Sequence, residues 1–188
     1  MNVELSLMPM DRLASWLIAS STGYEQARRK AGDSAEVAAE KARTSLQSSF
    51  PDGTPAPGHL VFDIVVTGSE STGTESTGTE STGTESTGTE STGTDSTGTE
   101  STGTVVGYLW IAPEAEGSDA WWVFDIGVDE NHRGAGYGRA AMQLAEQAAA
   151  KHGAVTIGLN VFGYNAVARA LYDSLGYETT AVQMRKPL

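Results

Sequence analysis

The chain is 188 residues long, enough for one domain with a sizeable core. It is acidic, at a formal net charge of -12, and Glu70, Glu75, Glu80, Glu85, Glu90, Asp95 and Glu100 supply seven of those charges inside a repeat without Lys or Arg, leaving -5 on the rest. That balance argues against a nucleic-acid-binding surface and leaves room for cationic substrates. With no cysteine, a disulfide framework, a thiolate zinc site and a cysteine nucleophile are excluded. Met1 to Leu17 lacks the basic start and apolar run of a signal peptide, and no apolar stretch reaches bilayer length. A cytoplasmic protein with no membrane partner is the expectation.

Val3-Glu4-Leu5-Ser6-Leu7 alternates as a half-buried strand does. Asp11 is placed to cap a helix carrying Leu13, Trp16, Leu17 and Tyr24. Asp33 and Glu36 form a capping-box pattern ahead of a second helix bearing Val37, Ala38, Ala42 and Leu46. Pro51, Gly53, Pro55, Pro57 and Gly58 end it, and Leu60 to Thr67 reads as a strand.

From Ser71 the pentapeptide Ser-Thr-Gly-Thr-Glu repeats six times, once with Asp95 for Glu, and a partial copy ends at Thr104. It has no apolar residue with which to build a core. The strand Val105 to Ile111 resumes after it, so residues 68–104 read as an insertion within a β-hairpin. A solvated loop, a polar extension of the hairpin and a regular hydroxyl surface for ice, glycan or partner binding all fit the pattern.

Trp121 to Val128 is an apolar strand. Gly138 to His152 is a helix with Ala141, Leu144, Ala145 and Ala148 on one side and Arg139, Gln143 and Glu146 on the other, closed by Gly153. Val155, Ile157, Leu159 and Val161 alternate through another strand. Asn165 caps a short helix with Ala168, Leu171, Tyr172 and Leu175 on one stripe, Gly176 ends it, and Tyr177 to Met184 reads as a last strand. The order β-α-α-β-β-β-α-β-α-β predicts an α/β (α+β) fold, a mixed sheet covered by helices.

Between a strand and a helix lies Arg133-Gly134-Ala135-Gly136-Tyr137-Gly138. Its glycines free the backbone where it turns into the helix, and the exposed N–H groups with the helix dipole suit an anion, above all a pyrophosphate. His132, Arg133 and Arg139 add positive charge. A phosphate-binding P-loop would need Gly-Lys-Ser/Thr at its end, which is absent. The dinucleotide fingerprint has G-x-G-x-x-G spacing in a first βαβ unit, whereas here the spacing is G-x-G-x-G and comes late. An acyl-CoA loop of the form R/Q-x-x-G-x-G/A and a glycine-rich turn without a ligand both remain. No histidine or carboxylate cluster has metal-ligand spacing, so no metal is expected.

Asp125 to Tyr177 resembles the core of the GNAT acetyltransferase superfamily. Asp125-Ile126-Gly127-Val128 precedes the loop, Arg133, Gly136 and Gly138 fill its defined places, and Leu159-Asn160-Val161 follows one helix later. Asn165, Ala168, Leu171-Tyr172 and Gly176-Tyr177 look like the family's N-x-x-A-x-x-L-Y-x-x-x-G-F/Y signature. The resemblance is strong over Val123–Glu178, covers the N-terminal part only as compatible elements, and has no counterpart for the repeat.

The resemblance implies one GNAT domain over 1–188, with 68–104 inserted, and acetyl-CoA as cosubstrate for a primary amine of a small molecule or peptide. It implies backbone N–H groups of Arg133, Gly134, Ala135, Gly136, Tyr137, Gly138 and Arg139 around the pyrophosphate. Ile126 and Val128 would lie along the pantetheine arm where two parallel strands splay apart, with Asn165 and Ala168 near that arm. Tyr172 matches the tyrosine that protonates the departing thiolate in many relatives. Asp125 is the best-placed carboxylate for the base, and Asn160 is a polar residue within a strand. A non-catalytic acyl-CoA sensor and an interaction protein acting through the repeat are the alternatives. Trp16, Tyr24, Trp110 and Trp121 are candidates for an acceptor site, and a homodimer through the sheet or the last strand is a further expectation.

Overall fold

The computed structural model describes residues 2–68 and 103–186. Its elements in chain order are β1 (Asn2–Leu7), α1 (Met10–Lys30), α2 (Ala35–Ser49), β2 (Leu60–Thr67), β3 (Thr104–Pro113), β4 (Ala120–Val128), α3 (Tyr137–Lys151), β5 (Thr156–Leu159) and α4 (Ala166–Leu175). One five-stranded sheet in the order β1-β2-β3-β4-β5 carries them. It is antiparallel from β1 to β4 and parallel between β4 and β5, the mixed α/β architecture expected. No helix among the described residues is long and apolar enough to cross a membrane.

Each face of the sheet has its own core, because the strands alternate apolar side chains to both sides. On one face Ile64, Val106, Leu109, Ile111, Trp121 and Val123 meet Ala141, Met142, Ala145 and Ala149 of α3. On the other, Val61 and Trp110 meet Met8, Leu13, Trp16 and Phe50, with Tyr108, Leu17 and Leu46 packed around them. Small residues along α3 let that helix lie close to the sheet. Rings fill the opposite core instead: Trp16 stands edge-on to Phe50, Tyr108 and Trp110, with centroids 5.8, 5.8 and 5.9 Å apart.

β2 and β3 pair from Leu60↔Ile111 to Val66↔Thr104, so the strands flanking the repeat are hairpin partners. The six copies themselves lie outside the described residues. Thr104 is already in β3, which places the last residue of the partial copy inside the sheet.

Several local expectations are corrected. Pro9, not Asp11, precedes the first turn of α1. Ser34 caps α2 by accepting from the Val37 N–H. Asp33 instead pairs with Arg28, Lys41 and Arg185, a network that rewards a carboxylate more than a cap does. Residues 177–186 form no strand: Val182 and Met184 are 74% and 89% exposed, and Arg185 is tied back to Asp33 and the Gly32 carbonyl. Alternating β-formers make no strand without a ladder to join. Asn160 follows β5 and is exposed rather than within a buried strand.

Candidate active site

The site forms where the parallel pair ends. β4 and β5 are in register from Ala120↔Thr156 to Val123↔Leu159, while β4 runs on to Val128 with β3 as its neighbour on the other side. The register with β3 slips between Trp110 and Ile111, opposite Phe124. A bulge of this kind bends a strand and redirects its side chains. Past it, Ile126 and Val128 pack toward the α3 core, and the β4 edge facing away from β3 has no strand partner among the described residues.

The glycine loop closes the same end. Gly134 and Gly136 have φ of +81° and +85°, conformations that L side chains rarely adopt, and a Cβ on either would meet nothing within 4 Å. The space above the loop is therefore open. Gly136 is the N-terminal cap of α3, and the first-turn N–H groups of a helix have no carbonyl partner within it. Together with the helix dipole they suit an anion. A Cβ on Gly138 would lie 3.6 Å from Leu171 and 3.9 Å from Val128, so loop, β4 end and α4 converge. Side chains brace the loop from behind: Arg133 Nε donates to the Val128 carbonyl at 2.9 Å and its Nη1 lies 3.3 Å from Glu130. Arg139 donates to Ser174 on α4. Both arginines thus spend side-chain donors on protein partners, and the loop offers its backbone.

Asn165 caps α4 by accepting from the Ala168 N–H at 3.2 Å, as its place in the motif demands. The α4 stripe Ala168, Leu171, Tyr172 and Leu175 is half-buried. Burial raises the Tyr172 hydroxyl above its ordinary value, and the charge of Asp125 adds to that shift. Tyr172 packs against the α3-side core while Asp125 meets Ser20 of α1.

Asp125 sits on the face of β4 turned toward α1. Burial raises its carboxyl, opposed by hydrogen bonds from Ser20, the Ile126 N–H and Tyr108. The Ser20 hydroxyl donates to Asp125 Oδ2 at 2.7 Å. Burial and the Asp125 charge also push the Tyr108 phenol well up. Sequence reasoning missed Ser20 and Tyr108. For Ser20 the signal was present: it falls at the next buried position of the Leu13, Trp16, Leu17 stripe, where a hydroxyl needs a partner.

The loop geometry and the α4 motif agree with the comparison to known families: the Acetyltransferase (GNAT) family model matches residues 74–177. The chain belongs to this family. It is 26% identical over 194 residues to an uncharacterized N-acetyltransferase, YycN, of Bacillus subtilis (strain 168), with 100% of each covered. The crystal structure of YycN superposes with a TM-score of 0.74 at 25% identity, over 100% of this chain and 99% of that one. A second uncharacterized N-acetyltransferase of the same strain, YdgE, is 33% identical over 84 residues, 44% of this chain and 54% of its own. The BH1408 protein of Bacillus halodurans, as a tetramutant, shares the fold at a TM-score of 0.54 and 17% identity, with 100% of both chains covered. The GNAT assignment makes the protein an N-acetyltransferase.

Within the GNAT frame the other expected residues sort by position. Trp121 is 4% exposed in the α3-side core, a packing residue with no open face to offer an acceptor. Trp16 and Trp110 are core on the α1 side, while Tyr24 on α1 is part-exposed. His59 accepts from Trp110 Nε1 through Nδ1 at 3.0 Å, and burial lowers its pKa, which marks it as a neutral packing residue. Phe124, at the bulge, stacks on Trp110 with centroids 4.7 Å apart and keeps 37% of its surface exposed. It is a third residue that the sequence reading did not single out.

Proposed function

We propose that this enzyme moves an acetyl group from acetyl-CoA to a primary amine of a small molecule or peptide, by direct attack in a ternary complex. The observation that carries this reading is the meeting of three features at one end of β4: the open glycine loop, the strand edge without a strand partner among the described residues, and the Asn165-capped helix whose Leu171 meets Gly138.

The residues present fit acetyl-CoA. Backbone N–H groups from Gly134 to Arg139 hold its pyrophosphate; the Arg133 N–H, also expected there, donates instead to the Glu130 carbonyl at 3.3 Å. The β4 edge at Ile126 and Val128 offers backbone partners to the pantetheine amides, and Asn165 and Ala168 at the start of α4 flank that arm. An N–H of β4 that points away from β3 polarises the thioester carbonyl, a contribution largest where water is excluded.

The acceptor enters from the α1 side, where Asp125 takes a proton from the incoming ammonium. Its raised pKa makes it a better proton acceptor than an exposed carboxylate. The amine nitrogen bonds to the carbonyl carbon, the C–S bond breaks, and the departing thiolate takes a proton from the Tyr172 hydroxyl, while the surplus proton on the new amide nitrogen passes to water, which returns one to the Tyr172 phenolate. Burial keeps that phenol protonated at neutral pH, as a donor to the sulfur must be. Residues 68–104 lie outside this chemistry, because the strands on either side of them already pair.

The test is a panel of primary amines, from polyamines to N-terminal peptides, incubated with enzyme and acetyl-CoA while free thiol is read. Amine-dependent thiol release is the expected result. Thiol release at the rate of hydrolysis with every amine would reduce the protein to a binder of acyl-CoA.

A further inference from the structure

Asp125 is held by side chains from two other elements. Ser20, 7% exposed, comes from the middle of α1 and donates to Oδ2 at 2.7 Å across 105 residues of sequence. Tyr108 comes from β3, directly opposite Gly127 in register, and its hydroxyl hydrogen-bonds the same carboxylate. The ring reaches it by lying over Gly127: a Cβ there would stand 2.6 Å from Tyr108 Cζ and 2.8 Å from its hydroxyl oxygen. Gly107, the neighbour of Tyr108 on β3, lets the two backbones approach, since a Cβ on it would stand 2.1 Å from the Gly127 carbonyl oxygen. Trp16, four residues before Ser20 on α1, braces the Tyr108 ring edge-on at 5.8 Å.

We propose that Ser20 and Tyr108 are positioning residues for the acceptor-side carboxylate, and that Gly127 forms the slot that lets Tyr108 reach it. The proposal deepens the reading of Asp125 as the base and rests on it for its role in transfer. A carboxylate has about four lone-pair sites. Ser20 occupies one of them at 2.7 Å, and Tyr108 and the Ile126 N–H add hydrogen bonds that lower the carboxyl's pKa, which restricts the orientation in which the group meets an incoming ammonium. The two hydroxyls also oppose the rise in pKa that burial imposes on the carboxyl. Because Ser20 lies on α1, the seating of that helix sets both the position and the basicity of the carboxylate.

The groups that bear on Asp125 from the packed elements are few. Ser20 faces it from α1, Tyr108 from β3 and Tyr172 from α4. Asp129 and Arg133 act on Tyr108 in opposite senses. Beyond Tyr108 in the β2 register lies Asp63, paired with Arg12 at 3.3 Å.

The experiment is a carboxyl carbon-13 NMR titration of the full chain, with the Asp125 resonance assigned by its loss in Asp125→Asn. Removing a donor from the ionised form favours the neutral one, so Ser20→Ala and Tyr108→Phe each raise the Asp125 pKa by about one unit. Ser20→Thr, which keeps the hydroxyl, restores the parent value. Ser15→Ala, on the exposed side of the same helix, leaves it unmoved. Gly127→Ala reproduces the Tyr108→Phe shift by displacing the ring. An Asp125 pKa unchanged in both Ser20→Ala and Tyr108→Phe, with the folded spectrum retained, overturns the proposal. The base reading fails separately, if Asp125→Asn keeps full amine acetylation while the titration shifts hold.

Discussion

Gly136 offers a way to separate backbone strain from ligand electrostatics at one atom. Its φ is +85° and a Cβ there meets no protein atom within 4 Å, so substitution creates no clash. The cost to folding is that of a non-glycine residue in a left-handed conformation, about 1–2 kcal/mol. For a chain of this size that lowers Tm by about 2–8 °C, and Gly136→Ala and Gly136→Glu share it. Their effects on acetyl-CoA differ. A carboxylate held about 5 Å from a phosphate charge, at an effective dielectric of about 20, is repelled by about 3 kcal/mol, which is more than a hundredfold in Kd. Calorimetry should give a loss of about tenfold or less for Gly136→Ala and no measurable binding for Gly136→Glu, with similar Tm values for both. A Gly136→Glu protein that binds acetyl-CoA within about threefold of the parent would refute the assignment of the loop.

Tyr172→Phe should lower kcat by about a hundredfold while the Kd for acetyl-CoA stays within about threefold, because the phenol acts on the leaving sulfur; equal losses in both would reduce Tyr172 to packing. Replacing residues 68–102 by Asn-Gly should leave acetyl transfer intact: Val66 and Thr104 are paired, so a two-residue turn suffices to join Thr67 to Gly103. Inactivity of a folded protein so shortened would place the repeat in the chemistry. Asp63 and Asp33 predict opposite pH behaviour. Burial raises Asp63 more than Arg12 lowers it, so its ionisation opposes folding as pH climbs through the ordinary carboxylate range. Asp63→Asn should therefore gain stability relative to the parent between about pH 3 and pH 7 in paired denaturation curves. Asp33 is held well below its ordinary value by Arg185, Lys41 and Arg28. Its stabilisation is present above about pH 4 and lost as pH falls below that, so the cost of Asp33→Asn should shrink on acidification.

The parts of the site made by local chain geometry were legible in the sequence. Glycines at 134, 136 and 138 announce a turn into a helix, and Asn165 with the stripe to Tyr172 announces a capped amphipathic helix. Both are short-range patterns that need no tertiary knowledge. The hairpin across the repeat was legible for the same reason, since its two strands carry their own signal whatever joins them. What could not be read were partners supplied from afar. Ser20 on α1 and Asp125 on β4 meet across 105 residues of sequence, and Tyr108 lies where a Cβ on Gly127 would stand. The last strand was overcalled because Thr179 to Met184 has the composition of a strand, while in the structure Arg185 anchors the segment to Asp33 instead. The caps of α1 and α2 were misplaced because a carboxylate near a helix start has rival partners, and three cations outbid the cap at Asp33.

The central claim is that the open end of β4 binds acetyl-CoA. Calorimetric titration of the purified protein with acetyl-CoA, beside NADH and ATP, tests it most directly. Saturable heat with acetyl-CoA alone is the predicted result. No heat with acetyl-CoA would contradict the account and leave the glycine loop a structural turn.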